Sequence, residues 1–278
     1  MDTTELMQVG MALVGFDMIP EDSAIYVSGV RIKRVLFGLD IGVGELLLAH
    51  QRNYDAVIAH HPVGMPHRAW RVFKRHEQLL IEAGVPEDVA RAAIAPKLEQ
   101  LRVDGLRANY ERVPIVAQYL RLPFLNIHSP LDELGRRMMQ STANDVLKGN
   151  PEATVRDVAN ALASFPAARR AETEVEVMLG NPQAPAGKVV VAHGAYTNGG
   201  YHVARAYFEH GVDTVVYIHI TANDLQRLRE EVRGNLIVTG HLVGDAYGIA
   251  PYIAALRAKG IHVDVLSQVL AGPEMLVA

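Results

Sequence analysis

Short apolar runs alternate with segments of helical periodicity along most of this sequence, and this alternation restricts the chain to an α/β fold. Residues 35–39 form a continuous apolar run, residues 44–52 follow with helical spacing, and residues 56–59 form a second apolar run. A strand, helix, strand order predicts a parallel strand pair joined by a right-handed crossover. The first half of the chain therefore predicts a parallel sheet packed against helices.

The second half repeats this pattern, with predicted strands at 188–192, 214–220 and 236–239 and predicted helices at 200–210 and 223–233. Elsewhere we predict helices at 3–16 and 155–163, two or three helices within 71–120, and a strand at 123–127. A length of 278 residues fits two ordinary domains. We predict two α/β domains with mixed, largely parallel sheets, the first formed by 1–130 plus 242–278 and the second by 131–241.

Composition narrows the chemistry that the chain can carry. It has no cysteine, so thiolate metal sites, disulfides and cysteine nucleophiles are excluded, and any metal must be bound by His, Asp or Glu. A net charge of -4 gives no basic surface for a nucleic-acid backbone. No apolar stretch reaches the roughly 18 residues of a membrane span, and the first residues lack a signal pattern. We expect a cytoplasmic protein with neither nucleic acid nor membrane as a partner.

Histidines lie at the carboxyl ends of several predicted strands: His60 and His128 come directly after a strand, and His241 comes one residue after one. In open α/β sheets ligands collect beyond the carboxyl ends of the strands, where loops converge. A lone histidine is more often an ordinary hydrogen-bonded or exposed residue. Three histidines at equivalent positions favour a shared site.

The paired histidines His60 and His61 precede Pro62, which favours extended backbone at His61. Adjacent side chains of an extended segment project to opposite sides, so two imidazoles can serve two ions. The alternative is a solvated loop that carries two polar residues. Taken alone, the pair supports both interpretations equally.

Two further segments place a histidine and an aspartate four residues apart: His128 and Asp132 in HSPLD, and His241 and Asp245 in TGHLVGD. This spacing brings both side chains to one face of a helix. Imidazole and carboxylate together suit Zn, Mn or Fe. The alternatives are a carboxylate that only orients a histidine, Asp132 as a plain first-turn residue, and Asp245 as a helix N-cap.

Two other features predict backbone structure. The glycine-rich segment HGAYTNGGYH at 193–202 precedes a helix and lacks a recognised phosphate-loop pattern, so we interpret it as a structural turn. Pro251 should kink a helix that starts near Asp245 or move its start later.

Taken in order, the segments LFGLD, AVIAHHP, HSPLD, VVVAHGAYTNGG and LIVTGHLVGDAYG resemble the NGG-interacting-factor-three-like family, whose bacterial members are often called GTP cyclohydrolase I type 2 homologues. The resemblance covers essentially the whole chain. It implies two α/β domains around a dinuclear metal cleft. It also implies a homo-oligomer, commonly a hexameric ring. The ligands that it implies for two divalent ions, such as Zn, Mn or Fe, are His60, His61, Asp132, His241 and Asp245.

The chain departs from the family's pattern in three places. The family usually has glutamate where Asp245 stands, so a bridging role here requires the backbone to come closer to the ions. The family's T-G-E stretch followed by histidines is replaced by IHITAND, in which His219 is a partial substitute. The family's tryptophan-aspartate-asparagine segment is absent from 20–29.

These features favour a metal-dependent hydrolase that acts on a small molecule, for which a nucleotide such as GTP fits the family resemblance. The first alternative is a non-catalytic regulatory or protein-interaction protein that the ions stabilise. The second alternative is a phosphoesterase that uses the same ions. An enzyme requires open coordination positions, whereas a structural site predicts closed ligand shells.

Overall fold

The computed structural model describes residues 1–64 and 66–271, and it has an α/β architecture with two sheets. The predicted fold class, α/β with mixed and largely parallel sheets, is confirmed. A 3-10 turn at Trp70–Lys74 accompanies the helices and strands. In chain order these are α1 (Thr3–Val14), β1 (Ala24–Val27), β2 (Arg34–Gly38), α2 (Val43–Gln51), β3 (Ala56–Ala59), α3 (Pro66–Ala69), α4 (Arg75–Glu82), α5 (Glu87–Arg107), α6 (Arg112–Leu120), β4 (Phe124–Asn126), α7 (Ser129–Gly149), α8 (Val155–Ala163), β5 (Glu176–Leu179), β6 (Val189–Val191), α9 (Gly200–Glu209), β7 (Thr214–Tyr217), α10 (Ala222–Glu231), β8 (Asn235–Val238), α11 (His241–Ala258), β9 (His262–Val265) and α12 (Gln268–Ala271).

The chain divides into two compact units, each with one sheet. Unit 1 comprises Met1–Val72, Leu101–Leu134 and the described part of Gly248–Ala278, and unit 2 comprises Phe73–Gln100 and Gly135–Tyr247. The domain boundaries given above stay a prediction, and their residues 272–278 lie outside the described residues.

The sheet of unit 1 has the strand order β1-β4-β3-β2-β9, in which only the β1–β4 pair is antiparallel. Strand β3 is buried along its whole length, as its uninterrupted apolar sequence predicts for a strand covered on both faces. The core cluster on one side of this sheet includes Leu36, Leu46, Val57 and Phe124. The predicted strand at 56–59 and the parallel pairing around it are confirmed.

Strands β3 and β4 end at the same edge of this sheet, because Ala59 pairs with Asn126 in parallel register. The Ile127 N–H continues the ladder by donating to the Ala59 carbonyl at 3.0 Å. His60 and His128, which come directly after these residues, are thereby delivered to one edge.

The sheet of unit 2 has the strand order β5-β8-β7-β6, with β5 antiparallel to its neighbour and the other pairs parallel. Its core includes Val191, Val216, Ile237 and Tyr247. The carboxyl end of β7 leads to His219, and the carboxyl end of β8 leads to His241. Unit 2 therefore also collects polar residues at its strand ends.

Helix α11 begins at His241 and contains Pro251, so of the two effects expected from this proline, a kink or a later start, the later start is wrong. Proline in a helix interior costs about 3 kcal/mol through a lost hydrogen bond and a steric clash. Buried side chains along the helix, such as Ile249, Tyr252 and Leu256, offset this cost through tertiary packing. Across the described residues, no helix combines the length and apolarity needed to cross a bilayer.

Candidate metal centre

His60 and His61 directly follow β3 and continue its pairing. Their N–H groups donate to the carbonyls of Gly38 and Leu39, each at 2.9 Å. His60 is fully buried, whereas the side chain of His61 is 20% exposed. The ladder thus fixes the backbone of both residues, and one of the two rings faces partly towards solvent.

The rings of His60, His61 and His128 form one cluster, which we call the three-histidine cluster. Ring centroids lie 5.0 Å apart for His60 and His61, 4.9 Å for His60 and His128, and 5.7 Å for His61 and His128. Each ring offers one nitrogen that lies within 4.8 Å of a nitrogen of the other two, which is close enough to hold one metal ion. The sequence left the role of His128 open, and the structure places it in this cluster.

Each imidazole of the cluster binds an acceptor through Nδ1. Because carboxylates and carbonyls only accept hydrogen bonds, each Nδ1 carries the proton of a neutral ring and each Nε2 keeps its lone pair. Metal-ligating histidines are oriented in this way by a partner on the other ring nitrogen. The acceptors are the Ile127 carbonyl for His60 at 3.0 Å, Asp40 Oδ1 for His61 at 2.8 Å and Asp22 Oδ2 for His128 at 2.8 Å.

Asp132 lies in the first turn of α7 and is 3% exposed. Its Oδ1 lies 3.1 Å from His60 Nε2, and its Oδ2 lies 3.5 Å from His128 Nε2. Lone pairs of both rings thus face carboxylate oxygens, an arrangement that is repulsive without a proton or cation between them. The donor set of imidazole nitrogens and a carboxylate suits a divalent transition metal.

Buried Asn126 and half-buried Tyr26, which the sequence patterns did not indicate, hold this edge of the sheet. Asn126 is fully buried, and its Nδ2 donates to the carbonyls of Asp22 at 2.8 Å and His60 at 3.4 Å. Its Oδ1 accepts from the Tyr26 hydroxyl at 2.8 Å, which in turn accepts from the Gly64 N–H at 3.1 Å. Burial raises the pKa of Tyr26 to about 12, so the hydroxyl stays protonated and continues to donate. Asn126 therefore connects the backbone of Asp22 and of His60 with the Tyr26 hydroxyl.

In unit 2, His241 and Asp245 contact each other across one turn of α11. His241 Nε2 lies 3.2 Å from Asp245 Oδ2; the histidine side chain is 47% exposed and the aspartate 2%. Since the helix begins at His241, Asp245 lies in its second turn and is not an N-cap. Gly240 adopts a φ of +85°, a left-handed conformation that lets the chain turn sharply from β8 into the helix.

His219 follows β7 and lies beside His241, with ring centroids 4.9 Å apart. The Asn198 side chain fixes its tautomer: Oδ1 accepts from the Gly200 N–H at 3.0 Å, so Nδ2 faces His219 Nδ1 at 2.7 Å. His219 Nδ1 therefore accepts, and the proton of a neutral ring is on Nε2. A histidine in this state presents an N–H donor at the His241 side of unit 2.

Glycines shape the turn at 193–200. Gly200 adopts a φ of +64°, and an added Cβ at Gly199 would come within 2.4 Å of Val203. The buried His76 donates from Nε2 to the Thr197 carbonyl at 2.8 Å and secures the turn from helix α4.

Of the five predicted ligands, His60, His61 and Asp132 lie together in unit 1, and His241 and Asp245 contact each other in unit 2. Sequence reasoning missed Asp22, Asn126 and Asn198. Their partners are up to 107 residues away along the chain, and no spacing pattern marks such contacts.

No model of a known protein family and no curated protein matches the chain. Among solved structures, the chain is similar to the NIF3 superfamily protein from Sphaerobacter thermophilus, with 46% identity, a TM-score of 0.94 and coverage of 96% of this chain and 98% of that chain. It is also similar in fold to reduced HcgD from Methanocaldococcus jannaschii, with 13% identity, a TM-score of 0.59 and coverage of 96% and 98%. A NIF3-related protein from Bacillus cereus shares the fold at 12% identity, a TM-score of 0.53 and coverage of 100% and 99%.

Proposed function

Because this chain belongs to the NIF3 superfamily, we propose that it holds two divalent metal ions and hydrolyses a small-molecule substrate with their help. The donor set of unit 1 supports a metal site, since His60, His61 and His128 could hold a metal ion and Asp132 lies beside His60. We propose that the ions number two, that they are Zn, Mn or Fe, and that the reaction is a hydrolysis.

One observation carries the metal assignment. His60 Nδ1 is engaged by a backbone carbonyl, and the lone pair of its Nε2 faces Asp132 Oδ1 at 3.1 Å. A proton would relieve this one contact, but His128 faces the second oxygen of Asp132 in the same way, and His61 lies beside both rings. Several adjacent imidazolium ions repel one another, whereas a divalent cation satisfies the lone pairs together.

The proposed ligands are His60, His61, Asp132, His241 and Asp245. The first three are supported by their proximity in unit 1. His241 and Asp245 are assigned to the same centre on the family resemblance, and their mutual contact supports a pair that acts together.

Divalent ions bound by these residues would supply an acidified water and a Lewis-acidic contact for a substrate oxygen. The protein's own residues orient this site: Asp40 and the Ile127 carbonyl fix the rings of His61 and His60. His219 contributes an N–H donor beside His241. The half-exposed His241 side chain favours a site that substrate can reach over a closed structural site.

The proposed substrate is a nucleotide. Ring opening of GTP is the first reaction to test, because bacterial members of the family that the chain resembles are often called GTP cyclohydrolase I type 2 homologues. Phosphoester hydrolysis is the second reaction, since the same donor set supports it.

The test begins with elemental analysis of the purified protein, followed by metal removal and reconstitution. Wild type and His60→Ala are then screened with GTP, other nucleotides and phosphoesters, and ring-opened product and released phosphate are measured separately. We expect two metal equivalents and a metal-dependent hydrolysis in wild type, both lost in His60→Ala. Equal activity of the two proteins would remove the enzymatic proposal and leave the non-catalytic regulatory role.

We also propose that the protein forms a homo-oligomer, which the family resemblance implies is a hexameric ring, and that it is located in the cytoplasm. Light scattering coupled to size exclusion tests the oligomer. We expect a solution mass several-fold above the 30.4 kDa of one chain. A solution mass of one chain would contradict the homo-oligomer and leave the proposed metal site and hydrolysis unaffected.

A further inference from the structure

Asp22 is a fully buried carboxylate at the edge of the sheet that carries the three-histidine cluster. Its Oδ2 accepts from His128 Nδ1 at 2.8 Å and from the Ser129 hydroxyl at 2.5 Å, and the Ser23 hydroxyl lies 3.5 Å from its Oδ1. Among the described residues, no lysine or arginine pairs with it. A buried anion without a cationic partner is costly, so this position needs a source of positive charge.

The contact with Asp22 determines what His128 can do. Because a carboxylate only accepts, the His128 proton is held on Nδ1, and the Nε2 lone pair is directed to the side where Asp132 Oδ2 lies at 3.5 Å. This tautomer is the one in which His128 can bind a metal through Nε2. It also lets the ion's charge reach the buried carboxylate through the imidazole ring.

The backbone around Asp22 is fixed for this contact. Asn126 Nδ2 donates to the Asp22 carbonyl at 2.8 Å, and the His128 N–H donates to the Ser23 hydroxyl at 2.9 Å. These two hydrogen bonds tie residues 20–23 to the end of β4 and to the residue before α7. The geometry leaves Asp22 little freedom to turn away from His128.

We propose that Asp22 is a positioning residue that fixes His128 as an additional metal ligand, outside the five ligands proposed above. This inference rests on the proposed function, since it requires that the site binds a metal. The contact of Asp40 with His61 has the same form, but the Asp40 side chain is 87% exposed, so water screens it. Asp22 should therefore influence metal affinity more strongly than Asp40.

The zinc affinity of Asp22→Asn is measured by letting the protein compete with a chromophoric chelator for zinc ions, which are the only ligand added. We expect zinc affinity to fall about 10- to 100-fold, as for other carboxylates that orient metal-bound histidines. Asp40→Asn should show a smaller loss. The matched control is Asp55→Asn, because Asp55 is a carboxylate of unit 1 that accepts from two backbone N–H groups without touching a histidine. We expect this control to lose stability and keep its zinc affinity.

A second measurement uses the wild-type protein and does not depend on the folding of a variant. Long-range proton–nitrogen NMR of histidine side chains reports the tautomer of His128, assigned by the signal that His128→Gln lacks. We expect a protonated Nδ1 before zinc is added and a large shift of the Nε2 resonance afterwards.

The outcomes separate the two proposals. If wild type binds none of zinc, manganese and iron, the proposed function fails. If wild type binds zinc while the Nε2 resonance of His128 stays in place, or Asp22→Asn binds as tightly as wild type, the metal site stands and the role of Asp22 is wrong.

Discussion

Gly244 lies one residue before Asp245 in α11 and packs directly against Ile218. An added Cβ would come within 2.2 Å of Ile218 Cγ2, so this part of the helix tolerates no side chain. The same contact brings the helix close to the end of β7. The position of Asp245 therefore depends on Gly244, which has no side chain to hold the helix away from Ile218.

We predict that Gly244→Ala lowers the free energy of unfolding by about 1–3 kcal/mol, because overpacking forces side chains or backbone to shift. Gly44→Ala is the matched control, since an added Cβ there meets nothing within 4 Å inside helix α2. It should raise stability by up to about 0.5–1 kcal/mol. Urea unfolding of the metal-free proteins measures both changes, and equal losses in the two variants would contradict the packing argument.

The candidate ligands were accessible from the sequence because they follow apolar runs and recur at a helical spacing. Asp22 and Asn126, which hold the site in place, were not accessible. Asp22 is 106 residues from His128, and Asn126 is 104 residues from the Asp22 carbonyl that it binds. Such pairs form only when strand pairing has already brought distant turns together, and no local pattern records them.

Two prolines in helices differ in how much they cost in stability. Pro130 lies in the first turn of α7, where a missing N–H costs nothing, whereas Pro251 lies in the interior of α11. We predict that Pro251→Ala raises the free energy of unfolding by about 1–2 kcal/mol, since the restored hydrogen bond exceeds the lost rigidity of the unfolded chain. Pro130→Ala should be neutral or destabilising. Chemical denaturation checks both signs, and a loss of stability in Pro251→Ala would show that the ring is needed for packing.

Helix α4 is tied to the turn before α9 by the buried His76. Burial lowers the pKa of His76 from 6.5 to about 4, so the folded protein resists protonating it. As pH falls below 6.5, the unfolded chain gains a proton that the native state does not take up. Stability attributable to this residue therefore decreases with falling pH and levels off below about pH 4.

The expected loss is about 3 kcal/mol between neutral pH and pH 4. His76→Gln removes the titration while keeping a donor for the Thr197 carbonyl, so its stability should fall less over the same range. Urea unfolding of chelator-treated proteins at several pH values measures the difference. Parallel pH curves for the two proteins would show that His76 is not the source.

Strands in the interior of a sheet, such as β3, were predictable from their apolar runs. The strands that the sequence did not predict, β1, β5 and β9, are edge strands, and none of them is buried along its whole length. An edge strand covers less of the core, so its apolar pattern is harder to distinguish from that of a loop.

For the whole molecule, the alternation of strand and helix patterns was sufficient to predict the α/β class and its parallel sheets. The assignment of Phe73–Gln100 to unit 2 has no marker in the sequence, because helical spacing runs through 71–120 without a change in composition. Contacts made by tertiary packing, rather than local propensity, decide to which unit such a helix belongs.

Metal binding should stabilise the whole fold, because an ion that binds only the native state shifts the unfolding equilibrium. At 100 times the dissociation constant the gain is about 2.7 kcal/mol per site. We predict that zinc raises the melting temperature of wild type and that His60→Ala loses most of this rise. His262→Ala is the matched control, since His262 is an exposed histidine of unit 1 paired with Asp264. Thermal scans with zinc and with chelator measure the shifts, and a rise of equal size in His60→Ala would place the bound zinc elsewhere on the protein.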